Sequence, residues 1–306
     1  MRLFIIANPR AGSAATAAEI FAALAHRPDV TLCRPHSADE LAACAAEAVH
    51  SGCETVVAAG GDGTVHAVVN AVADRLDRLR LAVLPLGTGN DLCRTLAVPA
   101  DPWAALSVAV DGRERRIDLI RVETAERSLL CVNVAAGGFS GQMHELLNDD
   151  VKAWWGPLAY LRGAVSVLPN LTDYRTTVRL DDGPAETVEA LTLLVANGRT
   201  AAGGLRVAPL ANPEDGLLDV VTVRYAPLLD LTAVAARLLA GDYLGSDGVT
   251  HRRARQLRLT STPGMWFSID GELLTNQPVT FSVWPRALRV VVGPGYSPEP
   301  VPPGAG

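Results

Sequence analysis

Three short glycine-containing turns carry the residues whose types and spacing could hold a phosphate group. One of them, GGDGT at 60–64, follows an apolar run at 54–59 and opens a helical pattern. Glycine brings backbone N–H groups close to an anion, and the dipole of the following helix adds to the attraction. The turn lacks both the phosphate-binding lysine pattern and the dinucleotide glycine pattern, and Asp62 places a negative charge in its middle. Taken alone, the motif is equally an ordinary strand-to-helix turn.

The other two turns shift the interpretation towards a nucleotide site. PLGTGND at 85–91 offers the side chains of Thr88 and Asn90, together with Asp91, which could also be a simple helix cap. NPRAGS at 8–13 follows the first apolar run. Three polar glycine turns of this kind favour a nucleotide site over three coincidences.

The surrounding elements predict how these turns are positioned. Four short apolar runs at 3–7, 30–33, 54–59 and 81–85 alternate with helical patterns that start near 14, 39, 64 and 91. Continuous apolar strands that alternate with helices indicate a mostly parallel sheet, which binds ligands at the carboxyl ends of its strands. We therefore expect an α/β domain over 1–111.

After this region the pattern becomes β-rich. Strand-like runs separated by turn residues predict a sandwich or flattened barrel over 112–296, with helices only near 140–169 and 228–240. The last run, LRVVVG at 288–293, could return to the first sheet, and 297–306 is expected to be a flexible tail.

Composition excludes several classes of protein. The chain has 306 residues, of which 49% are apolar, and a net charge of −6, which argues against a nucleic-acid binder. Five scattered cysteines without a C-x-x-C pair indicate reduced thiols in a cytoplasmic protein. No signal peptide and no transmembrane segment is expected, because the longest apolar stretch, 154–171, is interrupted by two prolines and an arginine.

In their order along the chain, NPRAGS, GGDGTVHAVVNAV and PLGTGNDLCRTL resemble the diacylglycerol kinase catalytic domain family, which includes sphingosine, ceramide and bacterial soluble lipid kinases. The resemblance continues through GGFSG, GPLAYL, VANG, GGLRVAPLANPEDGLLDV and DGE, over nearly the whole chain. It implies an α/β nucleotide domain followed by a β-rich lipid domain. It also implies transfer of the γ-phosphate of ATP to the hydroxyl of diacylglycerol or a related lipid alcohol, with a phosphatidic-acid-type product.

The resemblance also implies which residues bind the cofactors, ATP and Mg²⁺. Magnesium would lie on Asp215, with Asn212 and Leu217 as flanking ligands, and hard oxygen ligands suit this ion. PEDG at 213–216 would also suit a plain type I turn. The residues expected to bind ATP are Asn8, Gly12, Ser13, Gly60, Gly61, Asp62, Gly63, Thr64, His66, Gly87, Thr88 and Asn90.

Three acidic residues are the catalytic candidates. By resemblance Glu272 of DGE is the general base, with Asp270 beside it, although this tripeptide alone is more typical of a hairpin turn. Asp62 is expected to anchor either a metal–water network or the substrate hydroxyl. Both alternatives stay open at this point.

Two departures from the family pattern leave other functions open. His66 and Ala67 stand where many bacterial members have Asn-Glu, and the segment at 33–37 lacks a threonine, with Arg34 and Ser37 as the nearest matches. An NAD kinase, which also has a GGDGT turn, and a catalytically inactive nucleotide- or lipid-binding regulator are therefore alternatives.

The expected partner is a lipid substrate, met peripherally at the inner face of the membrane. The stretch WWGPLAYL, with Trp154, Trp155 and Tyr160, is either a membrane-interface helix or part of the core. Bacterial relatives suggest a homodimer by analogy.

Overall fold

The chain divides into two compact units, residues 1–118 with 286–297 and residues 119–285 with 298–306. The computed structural model describes residues 2–9, 14–24, 27–139, 171–276 and 278–300. Among these residues, no helix combines the length and apolar character needed to cross a membrane. Outside the described residues lie the helix expected near 140–169 and the candidates Gly12, Ser13, Trp154, Trp155 and Tyr160.

The first unit is built on a parallel sheet in the strand order β2-β1-β3-β4. Its strands are β1 (Leu3–Ala7), β2 (Val30–Cys33), β3 (Thr55–Gly60) and β4 (Arg80–Pro85). Its helices are α1 (Ala14–Leu24), α2 (Ala38–His50), α3 (Asp62–Ala71), α4 (Asp91–Thr95) and α5 (Pro102–Asp111), with a 3₁₀ turn at Ala73–Arg75. Every residue of β1 is buried, as a continuous apolar run in a covered parallel strand should be. The predicted α/β architecture is confirmed.

Helix α3 begins earlier than the sequence predicted. The pattern placed its start at Thr64, whereas the first helical residue is Asp62, with Gly61 as the N-cap. An acidic residue in the first turn is favourable because it faces the positive end of the helix dipole. Three of the five residues of the GGDGT motif are therefore helical.

The second unit is an antiparallel β structure, which confirms the predicted β-rich region. Its strands follow in the order β14-β13-β7-β9-β8-β12-β15, and β10 pairs with β9 and β11. The rings of Phe267 and Phe281 lie 5.2 Å apart in one of its two apolar clusters. Among the described residues of this unit, one helix, α6 (Leu228–Ala240), and a 3₁₀ turn at Tyr243–Gly245 accompany the strands.

The bounds of these strands are β5 (Arg113–Glu123), β6 (Ser128–Cys131), β7 (Val134–Gly138), β8 (Tyr174–Leu180), β9 (Ala185–Ala196), β10 (Leu218–Arg224), β11 (Val249–Ala254), β12 (Gln256–Thr262), β13 (Phe267–Ile269), β14 (Glu272–Thr275) and β15 (Val279–Val292).

The last strand takes part in both units. The early part of β15 pairs antiparallel with β12, while Arg289 pairs in parallel with Arg80 of β4. The buried carboxylate of Asp118 accepts a hydrogen bond from the Arg286 amide at 2.7 Å, near the point where β15 passes into the first unit. Part of the expected tail is also held, because Pro298 and Glu299 accept hydrogen bonds from Arg199 and Asn212.

The cysteines correct one prediction. Cys33, at the end of β2, forms a disulfide with Cys44 in α2, so the expectation that all five cysteines are reduced thiols is wrong for this pair. Their Cα atoms lie 6.2 Å apart, within the range that a disulfide spans. Cys53, Cys93 and Cys131 are free and buried, as core-filling thiols would be.

The disulfide predicts a thiol count. Protein purified without reductant and then denatured should react with a thiol reagent at three cysteines, and at all five after reduction. A Cys33→Ser variant, which releases Cys44, should show four thiols or a new intermolecular disulfide. Five reactive thiols in the unreduced wild type would contradict the pairing.

Candidate functional site

The carboxyl ends of β1, β3 and β4, which are neighbouring strands of the first unit, carry Asn8 and Pro9 of the NPRAGS motif, the GGDGT turn and the PLGTGND turn. The register aligns Ala7 with Ala59 and Gly60 with Pro85, so the strands end level with one another. The Asn8 amide N–H donates to Ala59 O at 3.0 Å, and Asn8 Nδ2 donates to Thr64 Oγ1 at 3.3 Å. Asn8, at the start of the NPRAGS motif, is thus hydrogen-bonded to the GGDGT turn and to the strand before it.

The GGDGT turn and the PLGTGND turn approach each other at their glycines. A Cβ atom added to Gly87 would overlap Gly61 Cα, and one added to Gly89 would lie 2.9 Å from Asp62 Oδ2. The Leu86 amide also donates to Gly60 O at 3.1 Å. Glycine is required at position 87 because the backbone there touches that of Gly61, and at position 89 because a Cβ atom would meet the Asp62 carboxylate.

Asp62 connects the GGDGT turn to α4, the helix that follows the PLGTGND turn. Its Oδ2 accepts the Asp91 N–H at 3.0 Å and its Oδ1 accepts the Leu92 N–H at 3.1 Å. These are the first two amides of α4, which have no partner within their own helix. The contacts that the structure shows for Asp62 are therefore those of a positioning residue, and its catalytic role stays a prediction.

Asn90 stabilises the PLGTGND turn through two hydrogen bonds inside the turn. Its Nδ2 donates to Gly87 O at 2.6 Å and its Oδ1 accepts the Gly87 N–H at 3.2 Å, while its own φ is 50°. Asparagine is among the few residues that adopt this left-handed conformation readily. Thr88, by contrast, is exposed at the tip of the turn, and His66 is buried with its ring next to Asn70.

The segment at 33–37 has structural roles that the sequence left unassigned. The Arg34 guanidinium lies over the Phe21 ring, 5.0 Å from its centroid, and the Ser37 hydroxyl caps α2 by accepting the Glu40 N–H. Both are common stabilising contacts of arginine and serine.

In the second unit, the DGE tripeptide forms a tight hairpin between β13 and β14. Asp270 and Gly271 have φ angles of 48° and 93°, the pattern of a type I′ turn, and Ile269 pairs with Glu272. Glu272 is the first residue of β14 and is exposed. The hairpin therefore presents one carboxylate to solvent on a rigid turn.

The other carboxylate is buried and bonded to backbone. Asp270 accepts the N–H groups of Val132 and Asn133 at 2.8 Å each and that of Val134 at 3.3 Å, and the Cys131 thiol lies 3.3 Å from Oδ1. Burial, and then the negative charge of Asp270, raise the pKa of the Cys131 thiol. Asp270 thus fixes the bend between β6 and β7, and it differs from Glu272 in environment.

Two amide side chains that sequence reasoning did not assign hold the same bend. Asn197 Nδ2 donates to Val132 O, and Asn133 Nδ2 donates to Thr200 O, both at 2.9 Å. Asn197 lies in the VANG motif, which marked the position, but its role depends on a partner 65 residues away.

The segment expected to hold magnesium is an ordered acidic turn. Asp215 Oδ1 accepts the Leu217 N–H at 3.0 Å, and its Oδ2 lies 3.2 Å from Arg253 Nη2. Asn212 Oδ1 accepts the Glu214 N–H at 2.9 Å, an Asx-type turn. The turn that the sequence offered as the plain alternative is therefore present.

Negative charge exceeds positive charge around this turn. Burial raises the pKa of Asp215, and the like charges of Asp219 and Glu299 act in the same direction. Asp219 is almost fully buried; its Oδ1 lies 2.6 Å from His251 Nε2 and 3.6 Å from Arg253 Nε. Its Oδ2 has no hydrogen-bond partner among the described residues.

These features fit a divalent cation held by hard oxygens. Three carboxylates, Asp215, Asp219 and Glu299, interact here, and Arg253 is the arginine that pairs with two of them. Within the described ranges, no group of three His, Cys, Asp or Glu side chains is arranged to hold a metal. A magnesium ligand set in this segment would therefore include amide or backbone oxygens, as expected from Asn212 and Leu217.

Comparison with known proteins matches both parts of the chain. Residues 2–122 match the model of the diacylglycerol kinase catalytic domain, and residues 133–292 match the YegS C-terminal NAD kinase beta sandwich-like domain. A probable lipid kinase YegS-like of Pseudomonas aeruginosa is 35% identical, covering 80% of this chain and 78% of the relative. A diacylglycerol kinase of Staphylococcus epidermidis is 30% identical, covering 78% and 73%.

A solved structure shows the same fold. The crystal structure of a putative diacylglycerol kinase from Bacillus anthracis matches with a TM-score of 0.81 over 97% of this chain and 96% of that chain, at 22% sequence identity.

The Asp62 contacts predict a graded loss of stability. Asp62→Ala should lower the free energy of unfolding by about 1–2 kcal/mol, because two amides at the start of α4 lose their acceptor. Asp62→Asn should fall between this variant and wild type, since its amide retains one acceptor oxygen. Urea unfolding measures the effect, with exposed Asp77→Ala as the control. Equal stability of wild type and Asp62→Ala would contradict the bridge.

The buried Asp270 predicts a larger effect. Asp270→Asn places an NH₂ group against backbone N–H donors, and should cost about 2–4 kcal/mol of unfolding free energy. The matched control is Asp247→Asn, at an exposed position of the same unit, which should change stability by less than about 0.5 kcal/mol. A small effect at Asp270 would mean that its carboxylate does not hold the 132–134 bend.

Proposed function

The chain belongs to the diacylglycerol kinase catalytic domain family, and we propose that it transfers the γ-phosphate of ATP to the hydroxyl of diacylglycerol or a related lipid alcohol. The product would be of the phosphatidic-acid type. The observation that supports this most is that Asn8, the GGDGT turn and the PLGTGND turn lie at adjacent strand ends, with the two turns in glycine-to-glycine contact. This is the arrangement from which backbone amides hold phosphate groups.

ATP would bind to the turns of the first unit. Asn8, the residues from Gly60 to Thr64, and the turn at 87–90 supply amide N–H groups, hydroxyls and carboxamides, with no lysine or arginine among them. Two of these side chains are already engaged: Asn8 with Thr64 Oγ1, and Asn90 with Gly87. Their role is to keep the turns in shape, so that the backbone amides contact the phosphates.

Magnesium would be held by Asp215, Asn212 and Leu217. When bound, it would offset the negative charge of the phosphates during transfer. The excess of carboxylates around Asp215 and the unpartnered Asp219 Oδ2 support this assignment.

Glu272 would act as the general base. The lipid hydroxyl oxygen forms a bond to the γ-phosphorus, the bond from that phosphorus to the β–γ bridging oxygen breaks, and ADP leaves with the electron pair. The hydroxyl proton passes to the Glu272 carboxylate. Exposure on a rigid hairpin makes this carboxylate accessible to a substrate hydroxyl, whereas Asp270 is committed to backbone amides.

The enzyme would meet its substrate peripherally, at the inner face of the membrane. The expected homodimer stays a prediction. Both follow from the resemblance to bacterial lipid kinases and the nature of the substrate.

A lipid panel tests the proposal. The purified full chain is incubated with γ-labelled ATP and magnesium, together with vesicles that contain diacylglycerol, ceramide or sphingosine, and separately with NAD in solution. Labelled phosphatidic acid is the expected product. Phosphorylation of NAD alone would favour the NAD kinase alternative, and tight ATP binding without turnover of any acceptor would favour an inactive regulator.

The assignment of the base predicts a split between turnover and binding. Glu272→Gln should lower kcat by about 100-fold or more because it removes the proton acceptor, while the Kd for ATP stays within about twofold. Calorimetry measures the Kd and the labelled-lipid assay measures kcat. The matched control is Glu126→Gln, another exposed glutamate of the same unit, which should retain full activity. Full activity of Glu272→Gln would exclude Glu272 as the base.

A further inference from the structure

Helix α6 packs against the second unit with one side only. Leu231 is buried, and Val234 and Leu238 are partly buried against an apolar cluster that includes Val221 and Tyr243. These three helix positions follow the spacing of a single face at 3.6 residues per turn. Leu231 is the one residue of this helix that is fully buried.

The opposite side of α6 is exposed and has no charged side chain. Leu229 is 80% exposed, and Leu228 and Leu239 are each about half exposed. The hydroxyl of Thr232, on the same side, donates to Leu229 O at 2.7 Å and so needs no external partner. The exposed residues of this face are Leu228, Leu229, Thr232, Ala233, Ala235, Ala236, Leu239 and Ala240.

Exposed apolar side chains are concentrated in this region. Of the six large apolar side chains that are exposed in the described part of the chain, four lie at Tyr225, Leu228, Leu229 and Leu239. Single exposed leucines are common, but a contiguous group marks a surface that contacts a protein or a lipid.

Two exposed arginines lie near the ends of the helix, one along the chain and one in space. Arg224 lies just before the helix, and the Arg206 side chain lies next to Gly241 just after it; both are exposed, and neither forms an ion pair with a described residue. Arg237 is paired with Asp242 at 2.9 Å, and Asp230 lies on the same flank as Arg237, away from the leucines. Long cationic side chains at the edge of an apolar face are typical of helices that lie in a lipid interface.

We propose that α6 docks on the surface of a lipid bilayer. Leu228, Leu229 and Leu239 enter the boundary between headgroups and acyl chains, and Arg224 and Arg206 contact headgroup phosphates. The proposal rests on the proposed function in one respect, namely that a lipid substrate is what brings the chain to a bilayer.

Two observations favour a lipid surface over a protein partner. The face offers leucine and alanine side chains with no donor or acceptor beyond the satisfied Thr232 hydroxyl, so it lacks the directional contacts that select one protein. The unpaired arginines also complement anionic phosphates around the apolar patch.

Vesicle cosedimentation of the full chain, without ATP, tests the proposal. The vesicles contain phosphatidylcholine and phosphatidylglycerol, with a phosphatidylcholine-only series for comparison. The double variant Leu229→Glu with Leu239→Glu should lower the vesicle partition coefficient at least about tenfold, because two inserted side chains become charged. Single Leu229→Glu, at the most exposed position, gives the same test with less risk to folding.

Control variants separate this effect from a general loss of apolar surface. Trp103→Glu, which alters an exposed apolar side chain in the first unit, should bind vesicles as wild type does. Arg224→Ala with Arg206→Ala should weaken binding to anionic vesicles and reduce its salt dependence, while binding to phosphatidylcholine alone changes by less than about twofold. Unchanged melting temperatures confirm that the variants are folded.

The outcomes are distinguishable from failure of the kinase proposal, because vesicle binding needs no turnover. If the α6 variants bind vesicles as wild type does, the proposal is overturned. If they instead change the molar mass in light scattering while vesicle binding persists, the face is an interface between two copies, which also overturns it. Loss of vesicle binding with unchanged molar mass and unchanged ATP affinity supports it.

Discussion

One interaction joins distant segments at several points of this chain: a carboxylate that accepts N–H groups of the backbone. Asp62 holds the start of α4, about 30 residues away, and Asp270 holds the 132–134 bend, more than 130 residues away. Asp118 accepts the amide of Arg286 at the crossing of β15. Hydrogen bonds to a charged group are worth about 1.5–3 kcal/mol each, and the backbone donors would otherwise be buried without partners. The Asp62 contacts position the GGDGT and PLGTGND turns, and the Asp270 contacts position the DGE hairpin against the 132–134 bend.

This constraint separates acidic residues that resemble each other in sequence. Asp62 and Asp270 stand in motifs that suggest chemistry, yet each is bonded to at least two amides, which fixes its orientation. Glu272, one glycine away from Asp270, is exposed at the start of its strand. A general base must be able to approach the proton it accepts, and the exposed Glu272 is the more accessible of the two carboxylates, while the catalytic role of Asp270 stays a prediction. The same hairpin thus supplies a fixed aspartate and an accessible glutamate.

The sequence predicted those features that depend on local pattern. The LFIIA run has to be a covered strand, and the glycine turns have to follow strands, because continuous apolar runs and Gly-rich breaks admit few other arrangements. The sequence could not show which groups meet across the fold. Asp219 and His251 are 32 residues apart and meet because β10 pairs with β11, where Asp219 lies opposite Arg253, two residues from His251. Cys33 and Cys44 meet although they belong to different elements, β2 and α2. Such partners follow from tertiary register, which single-sequence periodicity does not contain.

The missing lysine of the GGDGT turn follows from the same physics. If phosphates bind at these turns as proposed, they would meet backbone amides and the N-terminal end of α3, and the charge of Asp62 is already offset by the amides of α4. Arg94 donates to Gly89 O at 2.9 Å and so supports the turn at 85–91. Amide dipoles orient a triphosphate but do not neutralise its net charge, so the proposed transfer would need cations from elsewhere. The acidic turn at Asp215, with more carboxylates than arginines around it, is the described part of the chain whose charge balance suits the uptake of a divalent ion.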